Sequence, residues 1–373
     1  MSSAASGRRW LFADQLGPHF LDDPGQPVLL IEARSVFRRR RFHRQKAHLV
    51  LSALRHRAAE LGGQARFEQA DTYSEALARV QEPVTVCSPT TRAAEHFVRG
   101  HPGVEVLPER GFALSRAGFG QWASGRRQLR QEDFYHHVRR THGVLMEDGQ
   151  PVSGRWNFDH DNRQRPPRTA TLDVPAPYRP REDEIDEQVR GDLDDWERSG
   201  EVSFVGNDGP RLFAVTRAEA LRGLRRFVEH RLDAFGPYED AMLAGDPTMS
   251  HSLLSASMNL GLLDPLECAR AAEEAYLSGS ASLASVEGYV RQVIGWRDYV
   301  WHLYWHAGAG YRDLNHLGAA GRLPGWFTNL DADAVEARCL STVLGQVRDH
   351  GWVHHIPRLM VLGNYALQRG WSP

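Results

Sequence analysis

The stretch VLLIEARSVFRRRRFHRQKAHLVLSALRHRAAELGGQARF, residues 28–67, decides the first part of the fold. Short apolar runs stand at its two ends, at Val28 to Ile31 and at Ala65 to Phe67. Between them, His48 to Leu61 has the apolar spacing of an amphipathic helix. A strand, a helix and a second strand in this order are typical of a parallel β-α-β unit. The sequence therefore predicts an α/β domain built on a parallel sheet.

Further strands are predicted on both sides of this unit, at Trp10 to Phe12, Val84 to Cys87 and Val104 to Leu107. The first of them runs into ADQLGPHF, residues 13–20, which lacks the GxGxxG pattern of a dinucleotide fingerprint. This absence argues against a nicotinamide cofactor at the first turn. We therefore expect a Rossmann-like parallel sheet that serves a different purpose.

The pattern becomes helical from about Phe112 and is interrupted by a Pro- and Arg-rich stretch from Arg163 to Arg181. The acidic run from Glu182 to Glu197 is expected to form a solvated helix surface. Behind it, Thr216 and Glu219 have the spacing of a capping box that opens another helix. We expect an α/β domain over residues 1–130, a linker region with helices over residues 131–215 and an all-α domain over residues 216–373.

The composition limits the class of protein. With 373 residues, 41% hydrophobic and 25% charged, the chain can bury the cores of two domains. Its formal net charge of -2 means that nucleic acid would have to be bound through a local basic patch. No apolar run reaches the roughly 20 residues of a membrane span, and the first residues lack the apolar core of a secretory signal. We therefore expect a cytoplasmic protein.

Cysteine and lysine are both rare in this chain. The three cysteines, Cys87, Cys268 and Cys339, have no CxxC spacing, so they predict neither a disulfide framework nor a self-contained metal site. The basic residues are all arginine except Lys46, which indicates a genome that favours arginine codons. The many arginines are therefore not in themselves a sign of nucleic-acid binding.

The segment TMSHSLLSASMNLGLL, residues 248–263, is the first candidate site. It is expected to bring Thr248, Ser250, Ser252 and Ser255 to or into a helix start. Hydroxyls and free backbone N–H groups at such a position suit a phosphate or pyrophosphate. Hydroxyl groups also cap helices without any ligand, and the cluster alone fits that simpler role.

A second candidate is GYVRQVIGWRDYVWHLYW, residues 288–305. An apolar stripe at spacings of three and four predicts a buried helix, and it comprises Tyr289, Val293, Trp296, Val300 and Leu303. Gln292 lies beside this stripe, and a buried amide needs polar partners, which a heterocycle could provide. Gly295 inside the helix costs about 1 kcal/mol against alanine, which indicates close approach of a ligand or of another helix.

The third candidate is CLSTVLGQVRDHGWVHHIPRLM, residues 339–360. On a helix His355 and Arg358 would face the same way, and His355 would suit acid–base chemistry. His354 and His355 would diverge by about 100° on the same helix, so we discount a zinc site that lacks a third ligand. A hydrogen-bonded core histidine is the simpler interpretation of His355.

These segments, in this order, resemble the flavin-binding domain of the photolyase and cryptochrome superfamily. Ser252 to Ser255 followed by Leu260 to Pro265 resembles the SxLSPxLxxGxLSP motif, with Ala256 in place of the usual proline. Gln292 to Tyr299 resembles the helix with a WRE/D-F/Y pattern, and HHIPR, residues 354–358, resembles the HHxxR element. The resemblance implies that the helical domain binds FAD.

Other strings are similar to the bacterial iron–sulfur cryptochromes and photolyases, also called deoxyribodipyrimidine photolyase-related proteins. These strings are ADQL at residues 13–16, HRQK at 43–46, GRWNFD at 154–159 with Asn162-Arg163, and GYRDLN at 310–315. They span nearly the whole chain, which is therefore identified as a member of this group that is incomplete at its C-terminus.

The resemblance implies light-driven electron transfer from reduced FAD to a pyrimidine dimer or (6-4) lesion flipped out of DNA. His355 would face the lesion together with His354, and in (6-4) repair His355 would donate a proton. Contacts to FAD are implied for Tyr238, Ser252, Leu253, Leu254, Ser255, Gln292, Arg297 and Arg358.

The resemblance also implies a lumazine-type antenna chromophore in the α/β domain, with Glu32 and Lys46 as the candidates for contacting it. Cys339 matches one of the four cysteines of a [4Fe-4S] site, and the other three would lie beyond Pro373. The cluster is therefore expected only if that further part is present.

The leading hypothesis is a monomeric (6-4) DNA photolyase that acts on UV-damaged DNA. The basic stretches from Phe37 to Lys46 and from Arg126 to Arg140 would contact phosphates, unless they are ordinary solvated surface. The alternative is a blue-light cryptochrome photoreceptor that uses the same flavin without repair. A third interpretation is a helical protein that binds nucleic acid without FAD, and the Ser252 to Ser255 and Gln292 elements argue against it.

Overall fold

The structure is a computed structural model that describes residues 7–373. Within them the strands are β1 Arg8–Leu11, β2 Val28–Ala33, β3 Phe42–His43, β4 Ala65–Ala70, β5 Val84–Cys87, β6 Val104–Leu107, β7 Met146–Glu147, β8 Gln150–Pro151 and β9 Phe204–Val205. Five of them form a parallel sheet in the order β4-β2-β1-β5-β6. The chain builds the sheet outward from β1 on one side and then, from β5, on the other side. This order is that of a Rossmann-like sheet, so the predicted α/β class is confirmed.

The helices of the described residues divide between the sheet and a helical region. Those up to residue 142 are α1 Ser35–Arg38, α2 Arg44–Leu61, α3 Tyr73–Arg79, α4 Arg92–Gly100, α5 Arg116–Ala123 and α6 Gln131–His142. The later ones are α7 Glu184–Arg198, α8 Arg217–His230, α9 Leu232–Tyr238, α10 Ser255–Asn259, α11 Pro265–Leu277, α12 Leu283–Val290, α13 Arg297–His306, α14 Gly325–Thr328, α15 Arg338–His350 and α16 Asn364–Gln368. The predicted all-α region after the sheet is therefore confirmed.

Two π-helical segments interrupt the helical region, at Arg291–Trp296 and at Pro357–Gly363. Each adds a residue to a helical turn, so the side-chain spacing of an α-helix does not continue across it. Tyr289 and Val293 of the predicted apolar stripe are buried, but Trp296 and Val300 are 44% and 57% exposed. The stripe prediction is therefore correct for Tyr289 and Val293 and for Leu303, which packs on the core, and wrong for Trp296 and Val300.

The sheet separates two hydrophobic cores because side chains alternate along its strands. Trp10 and Leu29 belong to a core under helices α3 and α4, whereas Leu11 and Leu30 face the opposite side. The core on that second side continues into the helical region, where Phe227 is one of its members. The sheet and the helical region therefore share this second core.

Helix α7 has the exposed acidic residues that the sequence predicted, among them Glu184, Glu187 and Asp195, but its other face is buried. Its side chains Val189 and Leu193 are fully buried against α2, and His48 of α2 bonds to the carbonyl oxygen of Asp186 at 3.0 Å. Asp192 accepts from Arg55 at 2.5 Å. Part of the acidic run therefore pairs with arginines of α2. A sequence pattern does not distinguish paired acidic residues from solvated ones.

The Pro- and Arg-rich stretch from residue 163 to residue 181 contains neither helix nor strand, as expected for an extended segment. It follows the helical region closely, because Gln164 donates its backbone N–H to the carbonyl oxygen of Pro237 and Arg231 donates to that of Pro175. Helix α6 also contacts the helical region: a Cβ on Gly295 would come within 3.2 Å of the Tyr135 ring. The expected close approach at Gly295 is therefore to another helix.

None of the helices described here combines the length and the apolar character that a membrane span requires.

Candidate functional site

The loop before α10 contains most of the first candidate site. Helix α10 begins only at Ser255, and residues 248–254 form turns, with positive φ angles of 45° at Met249 and 59° at Leu253. Asp246 causes this local structure, since its side chain accepts backbone N–H groups at 2.8 Å from Met249 and 3.2 Å from Thr248. The prediction that the hydroxyls sit inside a helix start is wrong for Thr248 and the residues up to 254.

The hydroxyl groups of this loop have different partners. Ser250 is fully buried and donates to the carbonyl oxygen of Ala234 at 2.9 Å, so it is part of the core. Ser252 is half-buried and accepts the backbone N–H of Leu254 at 3.3 Å. Ser255 is exposed. Ser252 and Ser255 therefore keep a hydroxyl that a ligand could reach.

A narrow cleft opens beside this loop. It is lined by aromatic and small side chains from three parts of the chain, with a few polar groups: Tyr178, Leu212, Phe213, Gly223, Phe227, Arg231, Ser252, Leu253 and Leu254. The residues predicted from the serine motif therefore form one wall of a cleft whose other walls come from the extended segment and from α8.

Arg231 is a buried cation at this cleft that has no carboxylate in direct contact among the described residues, and Asp246 acts on it from further away. Its side chain donates to the carbonyl oxygens of Pro175, Met249 and His251, and its Nε has no partner among the described residues. Burial lowers the pKa of Arg231 to about 10. A buried charge is costly unless an opposite charge accompanies it, so the site favours an anion. Sequence reasoning missed this residue, because one arginine among many carries no signal.

Three histidines lie together beside the cleft. The ring of His251 stacks on that of His354 with centroids 4.3 Å apart, and it meets His355 edge-on at 5.4 Å. His251 and His354 are buried, whereas the side chain of His355 is 30% exposed. His251 directly precedes Ser252, so the histidines and the serine loop form one continuous site.

The histidine pair does not have the geometry expected from sequence. Residues 352–354 are extended, and the helix begins at His355, so the 100° divergence of adjacent helical side chains does not apply. His251, which the sequence analysis did not single out, supplies the third imidazole that was thought to be lacking. The argument against a metal site at His354 and His355 is therefore overturned.

Asp240 connects this cluster to the end of α9. Its carboxylate lies 3.4 Å from His355 Nε2, and this bond with His355 lowers the pKa of Asp240. Tyr238, two residues before it, is half-buried and packs on Leu172 and Met249. Tyr238 therefore lies next to the serine loop.

Glu239 belongs to a buried ionic network behind the site. Arg291 lies 3.4 Å from Glu239, 3.4 Å from Glu287 and 3.0 Å from Asp159. Glu239 is 2% exposed and Glu287 is fully buried. Burial raises the pKa of Glu239 to about 8, because one guanidinium cannot balance three carboxylates. The network fixes the segment that carries Tyr238 and Asp240.

The remaining predicted flavin contacts are more scattered. Gln292 is half-buried in the first π segment, and Arg358 is exposed in the second. Arg297 points toward the segment that follows the sheet: it donates to the carbonyl oxygen of Gly111 at 3.0 Å and covers the ring of Phe112. Arg297 thus already has protein partners.

Glu32 is bonded to two residues that line a separate cavity between the sheet region and α7. It is 2% exposed and accepts two bonds of 2.8 Å from Arg55 and one of 3.0 Å from Gln69. The cavity measures about 620 Å³ and is lined by Arg55, Ala58, Phe67, Gln69, Ile185, Gln188, Gly191, Asp192 and Asp195. Lys46 is exposed and lies over the Phe42 ring, near the start of α2. The two antenna candidates therefore have different surroundings.

Cys339 is exposed near the start of α15. Cys87 and Cys268 are buried, and burial raises the pKa of both thiols. Cys87 lies in β5 and Cys268 in α11, as the sequence indicated. Within residues 7–373, no cysteine belongs to a cluster that could hold a metal ion.

Comparisons with known proteins agree on one family. The model of the family described as deoxyribodipyrimidine photo-lyase-related protein matches residues 9–200. A (6-4) photolyase of Agrobacterium fabrum is 36% identical to this chain over 97% of it and 75% of its own length. The uncharacterized protein R853 of Acanthamoeba polyphaga mimivirus is 34% identical over 24% of this chain and 70% of its own length.

The fold also has a counterpart among solved structures. The chain superimposes on a crystal structure of a bacterial class III photolyase from Agrobacterium tumefaciens with a TM-score of 0.64 and 15% identity. The match covers 100% of this chain and 75% of that photolyase chain. At that identity the likeness concerns the fold. Together with the family match and the 36% identical relative, it leads to one conclusion. The chain belongs to the deoxyribodipyrimidine photo-lyase-related proteins, within the photolyase and cryptochrome superfamily.

Proposed function

We propose that this chain is a flavin-dependent (6-4) photolyase, which repairs UV-damaged DNA by light-driven electron transfer from reduced FAD to a flipped lesion. Family membership supports a DNA photolyase, and the (6-4) photolyase among its relatives supports this lesion. The observation that carries the proposal concerns His355. Its side chain is partly exposed, bonded to Asp240 and in ring contact with His251 of the serine loop. An acid–base group and a cofactor site are thereby adjacent.

The cleft measures only about 20 Å³, so a flavin dinucleotide enters it only if its walls move apart, and the proposal concerns the polar groups around it. Arg231 is a buried cation without a carboxylate partner among the described residues, and a pyrophosphate would supply the missing negative charge. Ser252 and Ser255 offer hydroxyls, and Leu253 offers backbone groups. Leu254 is a proposed contact whose N–H is bonded to Ser252 and whose carbonyl oxygen accepts from Met258. Tyr238, Gln292, Arg297 and Arg358 complete the proposed flavin contacts, of which Arg297 would have to act while it is bonded to Gly111.

When bound and reduced, FAD supplies the light-driven electron. A (6-4) lesion also needs a proton, because the electron alone cannot return the transferred oxygen or nitrogen substituent. In the proposal His355 donates this proton. Asp240 holds Nε2 of its ring and so orients the imidazole, while His354, buried behind it, fixes the shape of the pocket.

Damaged DNA would reach the site from the side of the extended segment. The net charge is slightly negative, so the contact must be local. Arg163, Arg165 and Arg168 are exposed in this segment, and Arg163 lies 3.8 Å from Asp240. These arginines would bind phosphates next to the flipped base, which leaves the stack at low cost when it is damaged.

The two basic stretches of the sequence contribute unequally to this proposal. Arg126, Arg127 and Arg130 are exposed and available to phosphate. In the stretch from residue 37 to residue 46, Arg44 is bonded to Asp194 and Glu197, whereas Arg39 and Arg40 are exposed. We propose phosphate contact for the first group and for Arg39 and Arg40.

An antenna chromophore of the lumazine type is proposed for the cavity above Glu32. Its volume of about 620 Å³ lies within the usual range of small-molecule pockets. Phe67 offers a ring face, and Gln69 and Gln188 offer amides for a heterocycle's edge. Lys46 could contact the chromophore only if its side chain moved away from the Phe42 ring.

Cys339 is proposed as one ligand of a [4Fe-4S] cluster whose other ligands would have to come from a further part of the protein.

The function is tested by repair of an oligonucleotide that carries one (6-4) lesion, with FAD-loaded protein in light and in darkness. We expect light-dependent repair by the unchanged chain, loss of repair in His355→Ala and reduced repair in Asp240→Asn, with flavin content retained in both. His316→Ala is the matched control, because His316 is exposed and far along the chain from the site. Full repair by His355→Ala would refute the proton-donor role, whereas flavin binding without any repair would favour the photoreceptor alternative.

A further inference from the structure

The imidazoles of His251, His354 and His355 form a cluster in which the rings of His251 and His354 are stacked and His355 meets His251 edge-on. One nitrogen from each ring lies within 4.8 Å of a nitrogen of the other two. His251 is 8% exposed and His354 is 3% exposed. His251 Nε2 and His354 Nδ1 are buried without a hydrogen-bond partner among the described residues. Two deeply buried nitrogens therefore lack a partner at the same place.

These histidines are in the form that metal ions require. His251 and His354 are buried, and burial favours the neutral imidazole, which keeps the lone pair that a metal ion binds. Asp240 lies 3.4 Å from His355 Nε2. A carboxylate at one nitrogen of a histidine fixes the tautomer and directs the other nitrogen, here Nδ1, to a ligand.

The charges that face the cluster are balanced. Two carboxylates, Asp240 and Asp246, and two guanidinium groups, Arg231 and Arg358, act on the three rings. Arg358 is exposed and therefore screened by solvent, whereas Asp240 is in direct contact with His355. The surroundings thus do not exclude a divalent cation.

We propose that His251, His354 and His355 bind a divalent transition-metal ion of the zinc type. Three imidazoles and one water form the ligand set of an open tetrahedral zinc site. Zinc–nitrogen bonds of about 2.0–2.1 Å require nitrogens roughly 3.3 Å apart. The present separations, at most 4.8 Å, shorten only if His251 and His354 rotate out of their stacked arrangement and His355 moves toward them. His355 has the freedom for this movement because its side chain is 30% exposed, and solvent reaches the fourth position from the same side.

The metal would control the chemistry of the site. A metal-bound imidazole has no proton to give through that nitrogen, so bound zinc would block proton donation by His355. Zinc is thus an inhibitor of lesion repair that leaves the flavin in place. This consequence depends on the proposed function, whereas metal binding itself does not.

The test is a titration of the tag-free protein with Zn²⁺, and with Co²⁺ to obtain the visible absorption that reports ligand geometry. We expect one metal ion per chain and at least tenfold weaker binding in His355→Gln and in His251→Asn. His316→Gln, at an exposed position, should bind as the unchanged chain does. Because His355 is half-exposed, His355→Gln provides the test even if the buried His251 variant does not fold, which circular dichroism would reveal. Absence of saturable binding, or equal binding by His355→Gln, would overturn the proposal.

A repair assay with Zn²⁺ or with a chelator separates this proposal from the proposed function. Zinc binding by a protein that repairs no lesion would support the metal site and refute only the proposed photolyase activity. Repair that does not change with Zn²⁺, in a protein that binds no zinc, would refute only the metal site. Repair that zinc inhibits and a chelator restores would support both.

Discussion

Glu239 makes the stability of this protein depend on pH in a way that a single substitution can isolate. The carboxyl is 2% exposed, and its one nearby cation, Arg291, is shared with Glu287 and Asp159. Burial is the largest cause of its raised pKa, which is about 8 against 4.5 for the free group. Between these two pH values Glu239 is protonated in the folded chain and ionised in the unfolded chain.

The sign of the effect follows from proton binding. Since the folded state holds one more proton in this window, the free energy of unfolding falls as the pH rises, by about 1.4 kcal/mol per pH unit. The stabilisation is complete below pH 4.5 and is lost as the pH passes through about 8. The accumulated loss approaches roughly 5 kcal/mol, an upper value because the carboxylates of the network titrate together.

Glu239→Gln keeps the size and a polar group but removes the titration. We expect the free energy of unfolding of the unchanged chain, minus that of the variant, to fall by about 1.4 kcal/mol per pH unit between pH 5.5 and 7.5. Urea unfolding at pH 5.5, 6.5 and 7.5 measures it. Glu105→Gln, at an exposed position of β6, is the control and should show no such slope. Parallel pH profiles for the unchanged chain and Glu239→Gln would refute the reasoning.

Three further substitutions test other parts of the structure. Gly295→Ala should lower the free energy of unfolding by about 1–3 kcal/mol in urea, since its Cβ would stand 3.2 Å from the buried Tyr135 ring. Gly120→Ala, with open space around it, should not destabilise the protein. Arg231→Gln should weaken FAD binding at least tenfold in a fluorescence titration, because a buried cation at the cleft is lost, and undiminished affinity would contradict its role. Glu32→Gln should release a lumazine-type chromophore while flavin content stays constant, as measured by absorption after acid extraction, and a retained chromophore would contradict the antenna proposal.

The fold could be predicted further from the sequence than the site. Apolar runs such as Val28 to Ile31 predicted the parallel sheet, because buried strands have a local pattern. The contact between α7 and α2 could not be predicted, because paired and solvated acids look alike in a sequence. The π segment at Arg291–Trp296 also escaped prediction, since nothing in the pattern signals an extra residue in a turn.

The candidate site shows the same division. Ser252 and His355 were found because each belongs to a recognisable motif, and the structure brings their segments together through His251. Arg231, Asp240 and His251 were missed, because their importance comes from burial and from neighbours that are distant along the chain. Lone residues of common types acquire a role only when the folded chain surrounds them.

The central claim, light-driven repair by an FAD-loaded protein, is tested most directly by one measurement. The purified chain is loaded with FAD, reduced, and mixed with an oligonucleotide that carries a (6-4) lesion, and the fraction of restored bases is followed under blue light and in darkness. We predict restoration that requires light and flavin and that stops in His355→Ala. Flavin-loaded, reduced protein that binds the damaged oligonucleotide and restores no bases in light would contradict the account.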